Sequence, residues 1–427
     1  MNEYVEKLKE EALAAAAAQF AAIDRRAQAN TAKVLRVMQK HRVSAAHFNV
    51  SCGYAYDDLG RDTLDKVFAG VLGAEKALVR TQFVSGTHAI AAALFGVLRP
   101  GNEVVSVTGK PYDTLQTVLG YDNPAPGSLK EFGISYGEVP LANGKPDLAN
   151  IKNAIGKKTK LAMVQRSRGY STRASLTCAD IADVCAAIKS ANPHCVVFVD
   201  NCYGEFVEEV EPLAAGADLI AGSLIKNPGG GIAPTGGYVA GRADLTDLAA
   251  TRLTSPGLGG ELGASLCDNR LLYQGLFVAP HVVAGALKGA VFAAELFSRL
   301  GYETFPKPQE KRGDIIQALG LKTPARLIAF CRAVQEMSPV DSFAAPEPWD
   351  MPGYADQIIM AAGTFVQGAS IELSADAPLR EPYNVYLQGG LTFEHAIIAL
   401  MHAAEVLTAD TEEQPPRSKY NENFNLK

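Results

Sequence analysis

The chain has 427 residues, 48% of them hydrophobic and 20% charged, with 39 glycines and a formal net charge of −6. That is an ordinary soluble globular composition, and the acidic balance without a long basic run argues against nucleic acid as a main partner. The 7 cysteines are scattered with no Cys-x-x-Cys pair, which points away from a disulfide framework or structural zinc and towards a reducing cytoplasm.

In chain order, residues 3–42 read as surface helices inside an N-terminal helical segment, 1–45. The alanine run from Ala12 to Ala22 imitates the apolar part of a signal peptide, but Glu3, Glu6, Glu10 and Glu11 stand where such a segment requires positive charge. No later stretch has the ~18 uninterrupted apolar residues of a membrane span. No membrane association is expected.

From about residue 75 to 240, short β-rich runs alternate with helical patterns. The runs are Ala77 to Arg80, Glu103 to Val107, Gly133 to Val139, Leu161 to Gln165, Val196 to Asp200 and Asp218 to Ala221. This rhythm predicts an α/β fold, a parallel sheet with crossover helices, as a large domain over 46–285. Thr177 followed by Asp180 marks a helix start. A long helix over about 279–300 reads as a bridge to a smaller C-terminal α+β domain, 286–427. Its expected elements are Leu327 to Val334, Gln357 to Ala361, Ser370 to Leu373 and Leu391 to Leu407. The polar tail after Asp410, with Pro415 and Pro416, reads as disordered.

Ligands of such sheets bind at the carboxyl ends of the strands, so the residues just past each run carry the functional signal. After the first run comes Ser85-Gly86-Thr87-His88, opening an apolar helix, where backbone N–H groups and the helix dipole favour an anion. A plain helix cap by Ser85 or Thr87 satisfies the same letters. Asp200 ends an apolar strand and needs a cationic or hydrogen-bonding partner, or else caps a neighbouring loop. Past the next run, Ser223-Leu224-Ile225-Lys226 leads into Asn227, Pro228 and three glycines. A lysine there is either solvated or partly desolvated, with a lowered pKa and a nucleophilic amine. An acid and a lysine on successive strand ends, with an anion nest upstream, suit a flat cofactor bearing an aldehyde, a basic ring nitrogen and a phosphate. Pyridoxal 5'-phosphate has all three features. The Ser-x-x-Lys match to penicillin-binding enzymes lacks its companion motifs, and no P-loop, nucleophile elbow or dinucleotide fingerprint is present. The histidines show no metal-ligand spacing, and no metal is expected.

The segments Val199-Asp200-Asn201-Cys202-Tyr203-Gly204-Glu205-Phe206, Gly222 to Gly231, Ser370-Ile371-Glu372-Leu373-Ser374 and Arg380-Glu381-Pro382-Tyr383 together resemble the aluminium-resistance protein family. That family is a branch of the fold-type I pyridoxal-phosphate enzymes similar to cystathionine β-lyase and methionine γ-lyase. The resemblance implies a mostly parallel seven-stranded sheet in the large domain. Lys226 would carry the coenzyme as an imine and then act as general base, and Asp200 would pair with the ring nitrogen. Gly86 and Thr87 amides with the Ser223 hydroxyl would hold the phosphate. Tyr112 would stack on the ring, although a lone tyrosine after a strand packs as often. Arg380 would bind the substrate carboxylate, against the simpler reading of a local pair with an acid. Gln165, Ser167 and Arg168 remain open as contacts of the ring oxygen. Relatives complete the phosphate site of a neighbouring subunit with a tyrosine and an arginine. Here Tyr54, Tyr56 and Arg61 correspond only loosely, because the spacing differs. If Tyr56 and Arg61 reach across, the protein is at least a homodimer or homotetramer. The expected reaction is elimination of a thiol from a cystathionine-, cysteine- or methionine-like amino acid. Transamination, racemisation or a non-catalytic, coenzyme-binding stress role are the alternatives.

Overall fold

A computed structural model describes residues 3–122, 124–351 and 356–409; the tail expected beyond Asp410 lies outside these residues. The first half contains α1 (Glu3–Lys40), α2 (Leu59–Leu72), β1 (Lys76–Arg80), α3 (Gly86–Val97), β2 (Glu103–Ser106), α4 (Asp113–Leu119), β3 (Ser135–Glu138), α5 (Leu148–Ala154), β4 (Thr159–Gln165), α6 (Cys178–Ala191) and β5 (Val196–Asp200). Then follow β6 (Leu219–Ser223), β7 (Gly237–Gly241), α7 (Ala243–Leu253), α8 (Asn269–Arg299), β8 (Glu303–Phe305), β9 (Gln317–Gly320), α9 (Pro324–Glu336), β10 (Ile358–Ala361), β11 (Ser374–Pro378), β12 (Asn384–Gln388) and α10 (Phe393–Ala409).

The large sheet has 7 strands in the order β1-β7-β6-β5-β4-β2-β3. Every pairing is parallel except those made by β7, which runs against both β1 and β6. The carboxyl ends of β1, β4, β5 and β6 therefore share one edge. The predicted runs all become strands; β7 was not separately assigned, and its glycine-bounded Gly-Tyr-Val-Ala-Gly is fully buried. β5 is buried along its whole length, as a strand covered by helices on both faces must be. The cap read at Thr177 is present, with Thr177 and Asp180 exchanging hydrogen bonds at the start of α6.

The smaller sheet is antiparallel, 5 strands in the order β10-β11-β12-β9-β8. The element expected at Ser370 to Leu373 is a turn, and strand pairing begins at Ser374. Glu372 explains the shift: its buried carboxylate accepts the N–H groups of Phe365 and Val366 at 2.9 Å each, which holds this stretch as a loop clasp.

Residues 3–40 form one helix rather than several. Its buried positions, Val5, Leu8, Ala12, Ala16, Ile23 and Val34, follow helical spacing, and the small alanines allow close packing on α8. Both long helices serve both sheets. Val5, Leu8 and Ala12 join the small-sheet core, while Ala16, Ile23 and Val34 join the large one. Along α8 the change falls between Val291 and Phe292. Residue 285, where the sequence reading divides the chain, lies inside this helix. α8 is apolar and long enough to cross a membrane, but 78% of its most apolar window is buried within the fold.

Candidate functional site

The shared edge of the large sheet brings Asp200, Gln165 and Lys226 together. Gln165 and Asp200 are register neighbours at the ends of β4 and β5. One strand further, β6 ends at Ser223 and a tight turn presents Lys226, whose Nζ stands 4.0 Å from the centroid of the Tyr203 ring. Tyr203 itself has a left-handed backbone, φ 71°, a costly conformation for a residue with a large side chain and one that places its ring beneath the lysine. Asp200 is buried and accepts the Cys202 N–H at 3.1 Å.

Burial pushes the Asp200 carboxyl up, and the facing Lys226 ammonium opposes that shift. Burial also pushes Lys226 down, but the ionisable groups around it, Cys202 and Tyr203 first and then Asp200, outweigh it and raise the lysine. This corrects the expectation of a lysine lowered by desolvation: the surrounding groups together favour the ammonium more than burial penalises it. Behind the pair, Glu205 accepts from the Tyr238 hydroxyl at 2.7 Å and is pushed by burial up to about 8.

The amino end of α3 closes on the same place. A Cβ at Gly86 would meet Ser223 Cβ at 3.2 Å and Cys202 Sγ at 3.4 Å, so a side chain here would crowd the approach of the helix start to the end of β6. Ser85 caps this helix, accepting the His88 N–H at 3.1 Å, as the simpler reading of that serine required. The N–H groups of Gly86 and Thr87 lie in the first turn, where no intrahelical acceptor exists. The Thr87 hydroxyl is 3.0 Å from that of Thr114 on α4, which fixes the turn carrying Tyr112.

Tyr112 donates its backbone N–H to Gln165 Oε1 at 2.7 Å, and Gln165 Nε2 donates to the Ser167 carbonyl at 3.1 Å. Gln165 thus ties the Tyr112 loop to its own strand end, its Oε1 holding Tyr112 and its Nε2 holding Ser167. The Tyr112 ring lies 5.6 Å from Tyr170, and Tyr170 lies 5.2 Å from Tyr386. The Tyr170 hydroxyl and Gln388 Nε2 both donate to Asp376 Oδ2, at 3.2 and 2.8 Å. Asp376 was missed by sequence reasoning. Burial pushes it up to about 6, opposed by its two hydrogen bonds and the Lys226 charge. An acid on β11, in a strand otherwise made of small buried residues, was the available signal.

Two further residues differ from expectation. The guanidinium of Arg61 is buried within its own chain, donating to the carbonyls of Ala55, Gly263 and Glu261 and to Asp62. Those carbonyls take the donors that a neighbouring phosphate would need, so the expected reach of Arg61 is corrected. Tyr56 is 65% exposed beside the exposed Tyr54. Arg380 stands half-exposed and paired with Asp356 at 2.8 Å, the local pairing that was its simpler reading. Arg168, by contrast, is buried against Asp314.

A buried lysine–carboxylate pair beside a helix start can hold an aldehyde, a basic ring nitrogen and an anion. The methionine gamma-lyase family profile matches residues 5–408. The chain belongs to the methionine gamma-lyase family. Among its relatives, YnbB of Bacillus subtilis is 52% identical over 387 residues, 90% of this chain and 92% of that protein. The structure of a carbon-sulfur lyase involved in aluminium resistance from Clostridium novyi superposes with a TM-score of 0.92 at 50% identity, covering 95% of this chain and 96% of that one. The pyridoxal-5'-phosphate-dependent protein YhfS of Escherichia coli shares the fold at a TM-score of 0.61 and 16% identity, covering 90% and 96% of the two chains. This member of the methionine gamma-lyase family is accordingly a pyridoxal-phosphate-dependent lyase of the fold-type I class. The residues present fit the coenzyme: glycine at position 86 keeps the α3 start close to the end of β6, that start offers N–H donors, and Lys226 and Asp200 face one another.

Proposed function

We propose that this lyase eliminates a thiol from a sulfur-containing amino acid such as cystathionine, cysteine or methionine. The observation that carries the reading is the buried Lys226–Asp200 pair beside the open first turn of α3. The similarity to a carbon-sulfur lyase at 50% identity supports the bond that breaks.

When bound, the coenzyme supplies an electron sink for the electron pair left at the substrate Cα. Asp200 holds the ring nitrogen in its protonated form, and its burial strengthens that pairing. The Gly86 and Thr87 amides with the Ser223 hydroxyl hold the phosphate, with Ser85 fixing the turn by its cap. Tyr112 supports the ring face. Lys226 takes the Cα proton; sulfur on Cβ then leaves with the carbon–sulfur electron pair as a thiolate, sulfur on Cγ leaves in the same way once a Cβ proton has also been removed, and water converts the remainder to a keto acid and ammonia. Tyr203 beneath Nζ and Glu205 behind it set the position and charge of that amine.

A second copy completes the assembly in this reading. Val50, Tyr54, Tyr56, Leu59, Val84 and Leu266 are all exposed. The hydrogen bonds from Gly263 N–H to Tyr54 O and from Leu266 N–H to Ser51 O join the loops that carry Val50, Tyr54, Tyr56 and Leu266. Exposed apolar side chains of this kind suit a subunit contact that brings Tyr56 to a neighbouring site. Sedimentation combined with an assay tests it: a fully active monomer would exclude it.

The deciding experiment is incubation with cystathionine. Pyruvate or 2-oxobutyrate with ammonia supports elimination, whereas a new amino acid formed from added keto acid supports transamination and overturns the reading.

A further inference from the structure

We propose that Arg168, with Arg312 beside it, receives the carboxylate of the amino-acid substrate, an assignment that rests on the lyase reading above and replaces Arg380 in that role. Arg168 lies three residues past Gln165, at the same carboxyl edge as Asp200. Its residue exposure is only 2%. Among the described residues, Nε, Nη1 and Nη2 of this guanidinium are all buried without a hydrogen-bond partner.

The acid closest to it does not supply one. Asp314 Oδ2 is 3.6 Å from Arg168 Nε, beyond a good hydrogen bond, and already accepts the Arg168 backbone N–H at 2.9 Å. Its Oδ1 accepts the Ile316 N–H at 3.2 Å. Arg312 repeats the pattern: Nη2 donates to Gln317 at 2.7 Å, while Nε and Nη1 are buried without partners. Arg173 adds a third positive charge that Arg168 repels. Burial first, and then the Arg168 charge, push Arg312 down to about 9. Buried guanidinium groups are normally saturated with acceptors, and one left open costs free energy that an arriving carboxylate, bound through two parallel hydrogen bonds, would restore.

The cluster also lies beside the aromatic row next to the Lys226 site. Tyr386 feels the Arg380 charge and then that of Arg168, and the rings of Tyr386, Tyr170 and Tyr112 form a row that Asp376, bonded to the Tyr170 hydroxyl and facing the Lys226 charge, ties to the Lys226 site. Arg380 is half-exposed and already paired with Asp356, so a carboxylate there would compete with both water and that acid.

The test uses the coenzyme-loaded protein and reads its visible absorption band during titration with L-alanine and, separately, with ethylamine, which lacks the carboxylate. R168Q is expected to keep its band and melting temperature while needing about 10- to 100-fold more L-alanine for half-saturation, with ethylamine unchanged. R168K, which retains charge and stem, should recover part of that loss and decides the matter if R168Q does not fold. R380Q should shift the L-alanine midpoint by less than about threefold. An R168Q protein that saturates at the wild-type alanine concentration overturns the proposal, as does an R380Q protein that carries the loss, or an equal loss for ethylamine. Failure of the wild-type enzyme to release thiol would defeat the lyase reading alone, because amino-acid binding shifts the band whether or not cleavage follows.

Discussion

Lys226 and Arg168 are both cations buried at the carboxyl edge of the same sheet, and they are treated in opposite ways. Lys226 is surrounded by acids, so its ammonium is raised despite burial. Arg168 has one ion-pair partner at 3.6 Å, shares it with its own backbone, and faces two further arginines. Burial alone predicts neither outcome; the balance of nearby counter-charge decides. A compensated cation holds its charge against burial, whereas an under-compensated one is poised to bind an anion.

The largest expected effect comes from removing the compensated cation. Lys226→Ala should abolish the visible band of the bound coenzyme and lower turnover by at least about a thousandfold; an unchanged band would show that the coenzyme attaches elsewhere. Next, Asp200→Asn keeps the shape but removes the carboxylate, and turnover should fall by about a hundredfold or more with the band retained but shifted. Turnover within a few fold of wild type would break the assignment of Asp200 to the ring nitrogen. Gly86→Val tests the cradle rather than the charges. Its side chain would press on Ser223 and Cys202, so coenzyme affinity, measured by equilibrium dialysis, should drop about tenfold or more while the fold persists.

The smallest effect concerns the acid behind the lysine. Glu205 is pushed up to about 8 by burial, so the folded protein keeps a proton that the unfolded chain releases above about 4.5. Its contribution to stability is complete below that lower value and is lost as pH rises towards about 8. Glu205→Gln preserves an acceptor for Tyr238 and should flatten this part of the melting-temperature profile; a profile with the wild-type slope would show that Glu205 is not its source.

Much of this molecule is legible in the letters because the physics is local. β5 is a continuous apolar run closed by an acid, Thr177 and Asp180 form their cap within one turn, and the first turn of α3 announces itself with Ser85 and Gly86. Where partners come from distant parts of the chain, the letters are silent. Arg61 looked free to reach outwards, yet carbonyls at Gly263 and Glu261 occupy it. Asp376 carried no motif in the letters, and only the fold brings Tyr170 and Gln388 to hold it near Lys226. Arg168 was one of three interchangeable candidates beside Gln165 and Ser167.

Sequence by itself determined the strand–helix alternation and the identity of the lysine, the carboxylate and the glycine-led helix start, since hydrophobic periodicity, capping and residue chemistry act over a few positions. Tertiary structure decided the single continuous α1, the reversal at β7, the raised state of Lys226 and the open guanidinium of Arg168. Those depend on which charges and carbonyls from remote segments come within a few ångströms, and electrostatic free energy in a buried site is set by that company rather than by the residue alone.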